Sequence, residues 1–304
     1  MTKLAVLPGA AAITPEFVVY VRVAADGSAG AGIDSPHSIL LRVQGFNEPI
    51  PLALHPNREA AEDALGTVLS ALTEAGAEEL KRLPGGLVVN QDEPVFFEVM
   101  PEKTPQGRVF VARVKLETDE RPLELGSFAS APEAMKLTRA CAESLGDEWV
   151  VLDRGVGIKR NKVQRTEVRA ERKTDGSMSF TVLLKVQSEP RRLTLAGTPS
   201  RQEAIAAVEA VVAAVNEGQD EDEQLKLLPR GFAIRPDGIK GLRVRARREP
   251  GPGGQPRIAY AVVVLTEDDE EQVLDNLAAP EEAEALVAEA IEAFNAIDHA
   301  SEWG

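Results

Sequence analysis

Pro199-Ser200-Arg201-Gln202-Glu203-Ala204-Ile205-Ala206-Ala207-Val208-Glu209-Ala210-Val211-Val212-Ala213-Ala214-Val215 reads as a helix start followed by an amphipathic body. Pro is tolerated where the first helical N–H would be unpaired. Ser200 and Glu203 stand at capping-box spacing. Ile205, Val208, Val211, Val212 and Val215 then recur with the 3.6-residue period of one helical face. The same design occurs at Pro56-Asn57-Arg58-Glu59-Ala60, at Pro132-Glu133-Ala134 (with Ser130 before it) and at Pro280-Glu281-Glu282-Ala283. The stripes that follow are Ala61, Ala64, Leu65, Val68 and Leu72; Ala134, Leu137, Cys141 and Leu145; and Ala283, Leu286, Val287, Ala290, Ile291, Phe294 and Ile297. Four helices are expected, each laying one apolar face on a partner layer.

The partner layer is read just ahead of each helix. Two β-rich runs and a shorter third precede every helix: 17–23, 39–46 and 50–54; 95–100, 109–116 and 123–125; 166–172, 178–186 and 193–195; 242–248, 258–265 and 272–274. Turn residues join the longer runs at Asp26-Gly27, Gln106-Gly107, Asp175-Gly176 and Gly253-Gly254. The expected fold is α+β, with four repeated βββα units, each an antiparallel three-stranded sheet carrying one helix. A second level of repetition appears in Leu80-Lys81-Arg82-Leu83-Pro84-Gly85-Gly86-Leu87 and Leu225-Lys226-Leu227-Leu228-Pro229-Arg230-Gly231-Phe232. The only tryptophans, Trp149 and Trp303, both follow Glu. Two duplicated halves are therefore expected, 1–155 (units about 10–90 and 91–155) and 156–304 (units about 156–238 and 239–304). The tryptophans are expected to be structural, packed beneath the helices. Units of this size are marginal alone, so they are expected to pack on one another.

The chain has 304 residues, 43% apolar and 27% charged, with a net charge of −15 and few aromatics. One cysteine excludes an internal disulfide and favours a reducing compartment. The apolar start Leu4-Ala5-Val6-Leu7 breaks at Pro8 and is too short for a signal segment. No apolar run is long enough for a membrane span. The expected location is cytoplasmic, or within a particle made in the cytoplasm.

The catalytic inventory is thin. His37 is expected in a loop, His55 before a helix and His299 in the tail, without metal-ligand spacing. Cys141 falls on a helix stripe, where a thiol acts as a small hydrophobe. The stretches Gly27-Ser28-Ala29-Gly30-Ala31-Gly32 and Gly251-Pro252-Gly253-Gly254 join strand to strand, so they read as hairpin tips and not as phosphate loops. The acidic run Glu217–Glu223 reads as a solvated loop without the ordered spacing of a calcium loop. No catalytic residue, cofactor or metal is expected.

Charge asymmetry is the one outstanding feature. Residues 154–173 hold eight basic and two acidic side chains, and 239–248 hold five basic and none acidic. Alternation along a strand puts Arg243, Arg245 and Arg247 on one face and Leu242, Val244 and Ala246 toward the helix. Arg165 and Arg169 are placed alike in the third unit, with Glu167 between them. These five arginines are the candidate nucleic-acid or anion contacts. The junction Leu125-Gly126-Ser127-Phe128-Ala129-Ser130-Ala131-Pro132-Glu133-Ala134 resembles the strand-to-helix junction of integrase arm-binding and plant transcription-factor domains. That resemblance spans ten residues in the unit without the arginines, and it implies no membership. The leading expectation is a non-enzymatic repeat protein acting through protein–protein surfaces, as in a large assembly such as a virion. Its partners would be other proteins or copies of itself. The alternative is nucleic-acid binding by the arginine-bearing strands, which must overcome the global negative field.

Overall fold

A computed structural model describes residues 3–8, 11–25, 36–105, 107–250 and 256–295. The expected tips at 27–32 and 251–254, and also Gln106, Ile297, His299 and Trp303, lie outside the described residues. The fold is mixed α+β, with four helices and five antiparallel sheets among the described residues. The chain divides into two compact units, Met1–Val151 with Gly155–Lys159, and Leu152–Arg154 with Arg160–Gly304.

The first compact unit opens with a two-stranded sheet, β1 (Ala5–Leu7) and β2 (Ala11–Ile13). Then come β3 (Val18–Ala25), β4 (His37–Val43), β5 (Ile50–His55), α1 (Arg58–Glu74), β6 (Leu80–Arg82) and β7 (Val88–Asn90). These five strands form one sheet in the order β5-β4-β3-β7-β6. Next are β8 (Pro94–Thr104), β9 (Gly107–Leu116), β10 (Leu123–Phe128), α2 (Ala131–Leu145), β11 (Trp149–Val151) and β12 (Gly157–Lys159), with sheet order β10-β9-β8-β12-β11.

The second compact unit holds one five-stranded and one three-stranded sheet among the described residues. It has β13 (Val163–Arg172), β14 (Met178–Val186), β15 (Leu193–Thr198), α3 (Arg201–Asn216), β16 (Lys226–Leu228) and β17 (Phe232–Ile234), in the order β15-β14-β13-β17-β16. The remaining strands β18 (Ile239–Pro250), β19 (Pro256–Thr266) and β20 (Glu271–Leu277) form a three-stranded sheet ahead of α4 (Pro280–Asn295).

The helices begin where the sequence places them. Asn57 and Ser200 accept bonds from the N–H groups of Ala60 (2.9 Å) and Glu203 (3.2 Å), each a filled N-cap. Ser130 departs from this pattern: its hydroxyl donates to the Glu133 carboxylate at 2.8 Å and caps no N–H. Four residues after each cap position stands an alanine, Ala61, Ala134, Ala204 and Ala283, all fully buried. A side chain of one carbon lets the helix start approach its sheet closely.

Each of the four larger sheets carries two register shifts at matching places. The first strand has one extra residue near its start: Val19, Val95, Gln164 or Lys240. The third strand has one extra residue in mid-course, and in all four of these sheets it is a leucine: Leu52, Leu125, Leu195 or Leu274. A bulge re-aims a side chain that strict alternation would direct elsewhere. Leu52, Leu195 and Leu274 are thereby buried. The backbone also closes alike in all four, where Gln44, Glu117, Gln187 and Glu267 N–H groups bond Phe17, Glu93, Lys162 and Gly238 carbonyls.

Two expectations need correction. The stretches beginning Leu80 and Leu225 are more than matching tails: they fold as the hairpins β6–β7 and β16–β17, so three of the sheets are five-stranded. Strands of three residues are too short to show a period. His37 is the first residue of β4, not a loop residue.

Candidate functional site

The arginines singled out in the sequence lie on one side of their sheets, and acidic side chains of the same compact unit meet most of them. On β13, Arg165 is opposite Lys185 in register, Glu167 opposite Leu183, and Arg169 opposite Thr181. The Arg165 side chain is only 3% exposed. Its Nη1 donates to Asp268 Oδ1 at 3.2 Å, and its Nη2 donates to Glu270. Arg192 Nη2 shares the same Glu270 oxygen at 2.8 Å, and its Nε lies 3.1 Å from Glu167 Oε1. Arg165, a candidate anion contact in the sequence, is thus sequestered in an ion cluster. Alternation placed it on the correct face, but the acidic turn between β19 and β20 covers it.

Partial burial raises the Asp268 carboxyl, but the Thr266 hydroxyl and the Arg165 guanidinium outweigh it and hold the group below the ordinary range. Arg169 is half-exposed, with Nη2 3.7 Å from Glu167 Oε1.

On β18, Arg243 is opposite Val263, Arg245 opposite Ala261 and Arg247 opposite Ala259. Arg243 and Arg245 both donate to Glu271, the latter at 2.9 Å. Slight desolvation raises Glu271, and the two guanidiniums draw it back below the ordinary carboxylate range. Arg247 is exposed and has no ion pair among the described residues. Val244 and Ala246 share the helix side of the sheet, opposite Val262 and Tyr260 of the α4 cluster, but on the edge strand they stay exposed, as does Ile258 opposite Arg248, so this side of the hairpin has an uncovered apolar strip.

A cleft of about 410 Å³ separates the β13 face from β20. Arg169, Arg201 and Arg230 line it together with Glu167, Glu271 and Asp275. Asp275 takes Arg201 at 3.3 Å and Arg230 at 3.0 Å, so cation and anion alternate along the walls. The three basic and three acidic side chains that line the cleft balance in charge.

In the first compact unit the corresponding acidic turn also reaches back. Asp119, between β9 and β10, accepts from Arg42 Nε of β4 at 3.0 Å. A smaller cleft of about 260 Å³ gathers Arg22, His37, Arg58 and Arg82 with Glu62 and Glu124. Sequence reasoning missed this group because its members come from separate elements. His37 and His55 stand opposite each other in the β4–β5 register, although 18 positions apart in the sequence.

Trp149 opens β11 and packs on Phe97, ring centroids 5.2 Å apart, in a cluster with Cys141 and Ala142. Burial pushes the Cys141 thiol up to about 12, so it is not a thiolate at neutral pH. Among the described residues, no group of three or more His, Cys, Asp or Glu side chains is placed to hold a metal ion, and no helix is long and apolar enough to cross a membrane. The chain matches no known protein family, and no curated protein matches it.

Proposed function

We propose that the chain is a non-enzymatic repeat protein, four βββα units in two duplicated halves, that works through protein–protein surfaces as part of a larger assembly such as a virion. The repeat reading is supported by the shared bulge leucines, the buried helix-start alanines and the common strand order. The functional reading is carried by one observation. The basic strands that suggest a polyanion surface are matched by Glu167, Asp268, Glu270 and Glu271, whereas sheet edges and apolar side chains such as Phe46, Leu54, Ile258 and Ile291 stay open. A surface of neutralised charge beside exposed apolar groups fits protein contact better than phosphate contact.

Sedimentation over a range of concentrations, with and without a mixed-sequence DNA or RNA probe at low salt, tests the proposal. It expects masses above that of one chain, unchanged by nucleic acid and little changed by salt. A single-chain mass with salt-sensitive retention of the probe, lost on changing Arg243, Arg245 and Arg247 to Ala, would instead establish the nucleic-acid reading.

A further inference from the structure

Three short hairpin strands join three sheets in one way. β7 pairs Val89 with Tyr20 and Val88 with Val21 of β3. β12 pairs Ile158 with Phe96 and Gly157 with Phe97 of β8. β17 pairs Ile234 with Arg165 and Ala233 with Thr166 of β13. In each sheet the paired residues directly follow the first-strand bulge. The hairpins are also two-faced. Leu83, Leu87 and Val89 pack in the cluster that contains Cys141 and Ala142 of α2, whereas Val88 joins the cluster of α1 behind them. Likewise Leu228, Phe232 and Ile234 join the cluster of α4.

The β1–β2 hairpin is of this kind. Its register, Ala5↔Ile13, Val6↔Ala12 and Leu7↔Ala11, has the same offset as Lys226↔Ile234, Leu227↔Ala233 and Leu228↔Phe232. Its forward face is filled, since Ala5 and Leu7 pack in the α1 cluster. Its other face is bare: Val6 is 74% exposed, Ala12 is exposed, and the outer edge of β2 pairs with no strand among the described residues.

The last sheet shows the complementary vacancy. β18 has the bulge at Lys240, followed by Gly241 and Leu242, but its outer edge carries no hairpin strand among the described residues. On α4, Ile291 is 47% exposed. Twelve residues past the other cap positions stand Leu69, Ala142 and Val212, which are partly or fully buried. A Cβ on Gly157 would lie 2.6 Å from the Cβ of Ala142, so over α2 the hairpin approaches the helix closely. The hairpin residues at the equivalent register position are Val88 in β7 and Ala233 in β17, and in β2 it is Ala12.

We infer that β2 of one copy adds to the open edge of β18 in a second copy, with Ile13 opposite Gly241 and Ala12 opposite Leu242. The inference rests on the repeat reading above and names a second copy as the partner. An unpaired edge is a template for strand addition. Because the two joining surfaces differ, the contact is head-to-tail and builds linear oligomers unless it closes into a ring.

The test uses full-length chains. Ala12→Cys in one chain and Leu242→Cys in another are mixed under mild oxidation, with each variant alone and the unsubstituted chain as controls. A disulfide-linked pair from the mixture, and a ladder from the doubly substituted chain, are expected. Ala12→Arg and Ile291→Glu change side chains already exposed in the free chain, so folding is not at stake. Each should weaken self-association in sedimentation by about tenfold or more. Self-association that both variants leave intact, with no cross-link in the mixture, overturns the joint while the assembly reading stands. A single-chain mass at every concentration with no cross-link overturns both.

Discussion

Arg165 shows how much a side chain's meaning depends on what the fold brings to it. Its Nε is buried without a partner, while both Nη groups are engaged by carboxylates. Removing the whole side chain leaves a void and two carboxylates without their cation. Asp268 and Glu270 are about two-fifths exposed, so water can take over much of the lost pairing. Arg165→Ala is therefore expected to cost about 2–3 kcal/mol, and Arg165→Met, which keeps most of the volume, about 1 kcal/mol or less. Urea midpoints of the two variants check the difference; equal losses would show that charge and not packing governs the position. Asp268 adds a pH dependence. Its carboxyl titrates lower in the folded chain than the ordinary value of about 3.9. Its contribution is present above the unfolded value and is lost as pH falls through the lower folded value. Thermal midpoints measured from about pH 5 down to about pH 2.5 should fall, and Asp268→Asn should fall less steeply. A variant with the same slope as the parent would remove Asp268 as a source.

At the scale of elements, the helices were legible because their stripes run four turns and their starts carry Pro, Ser or Asn. The long strands were legible for the same reason of length. The hairpins β6–β7, β11–β12 and β16–β17 were not, since strands of three residues show no alternation and gain their stability from the sheet they join. Nor were the bulges: a single extra leucine looks like ordinary alternation until the partner strand fixes the register. Alternation gave the side of Val244 and Ala246 but not their exposure, because only the strand order shows that β18 lies at the sheet edge. The hairpin joints can be probed at Gly157, whose added Cβ meets Ala142 and Phe97. Gly157→Ala is expected to destabilise by about 1–3 kcal/mol through overpacking. Gly197, where a Cβ meets nothing within 4 Å, should tolerate Ala within about 0.5 kcal/mol. Chemical denaturation of the two variants measures the contrast, and equal effects would argue against close approach of β12 to α2.

For the whole molecule, the question is whether the −15 net charge or the local arginines decide the response to a polyanion. A duplex gains affinity from each phosphate neutralised, and that gain weakens steeply with salt. Arg243 and Arg245 are about half exposed and could supply two such contacts, but Glu271 holds both. Meeting a phosphate would require them to leave a carboxylate that remains nearby and repels the incoming anion. The sequence could show the arginines but not this counter-charge, because Glu271 reaches them only through the β18-β19-β20 order. Glu271→Gln keeps the size of the side chain, replaces one of its two acceptor oxygens with a donor, loosens its hold on the two guanidiniums and changes net charge by one unit. The parent chain is expected to show no measurable retention on a heparin column at about 50 mM salt, and Glu271→Gln a weak retention lost by about 200 mM. Strong retention of the parent would mean that local basic strands outweigh the global field. No retention of the variant at low salt would mean that the field dominates even when the arginines are less tightly held.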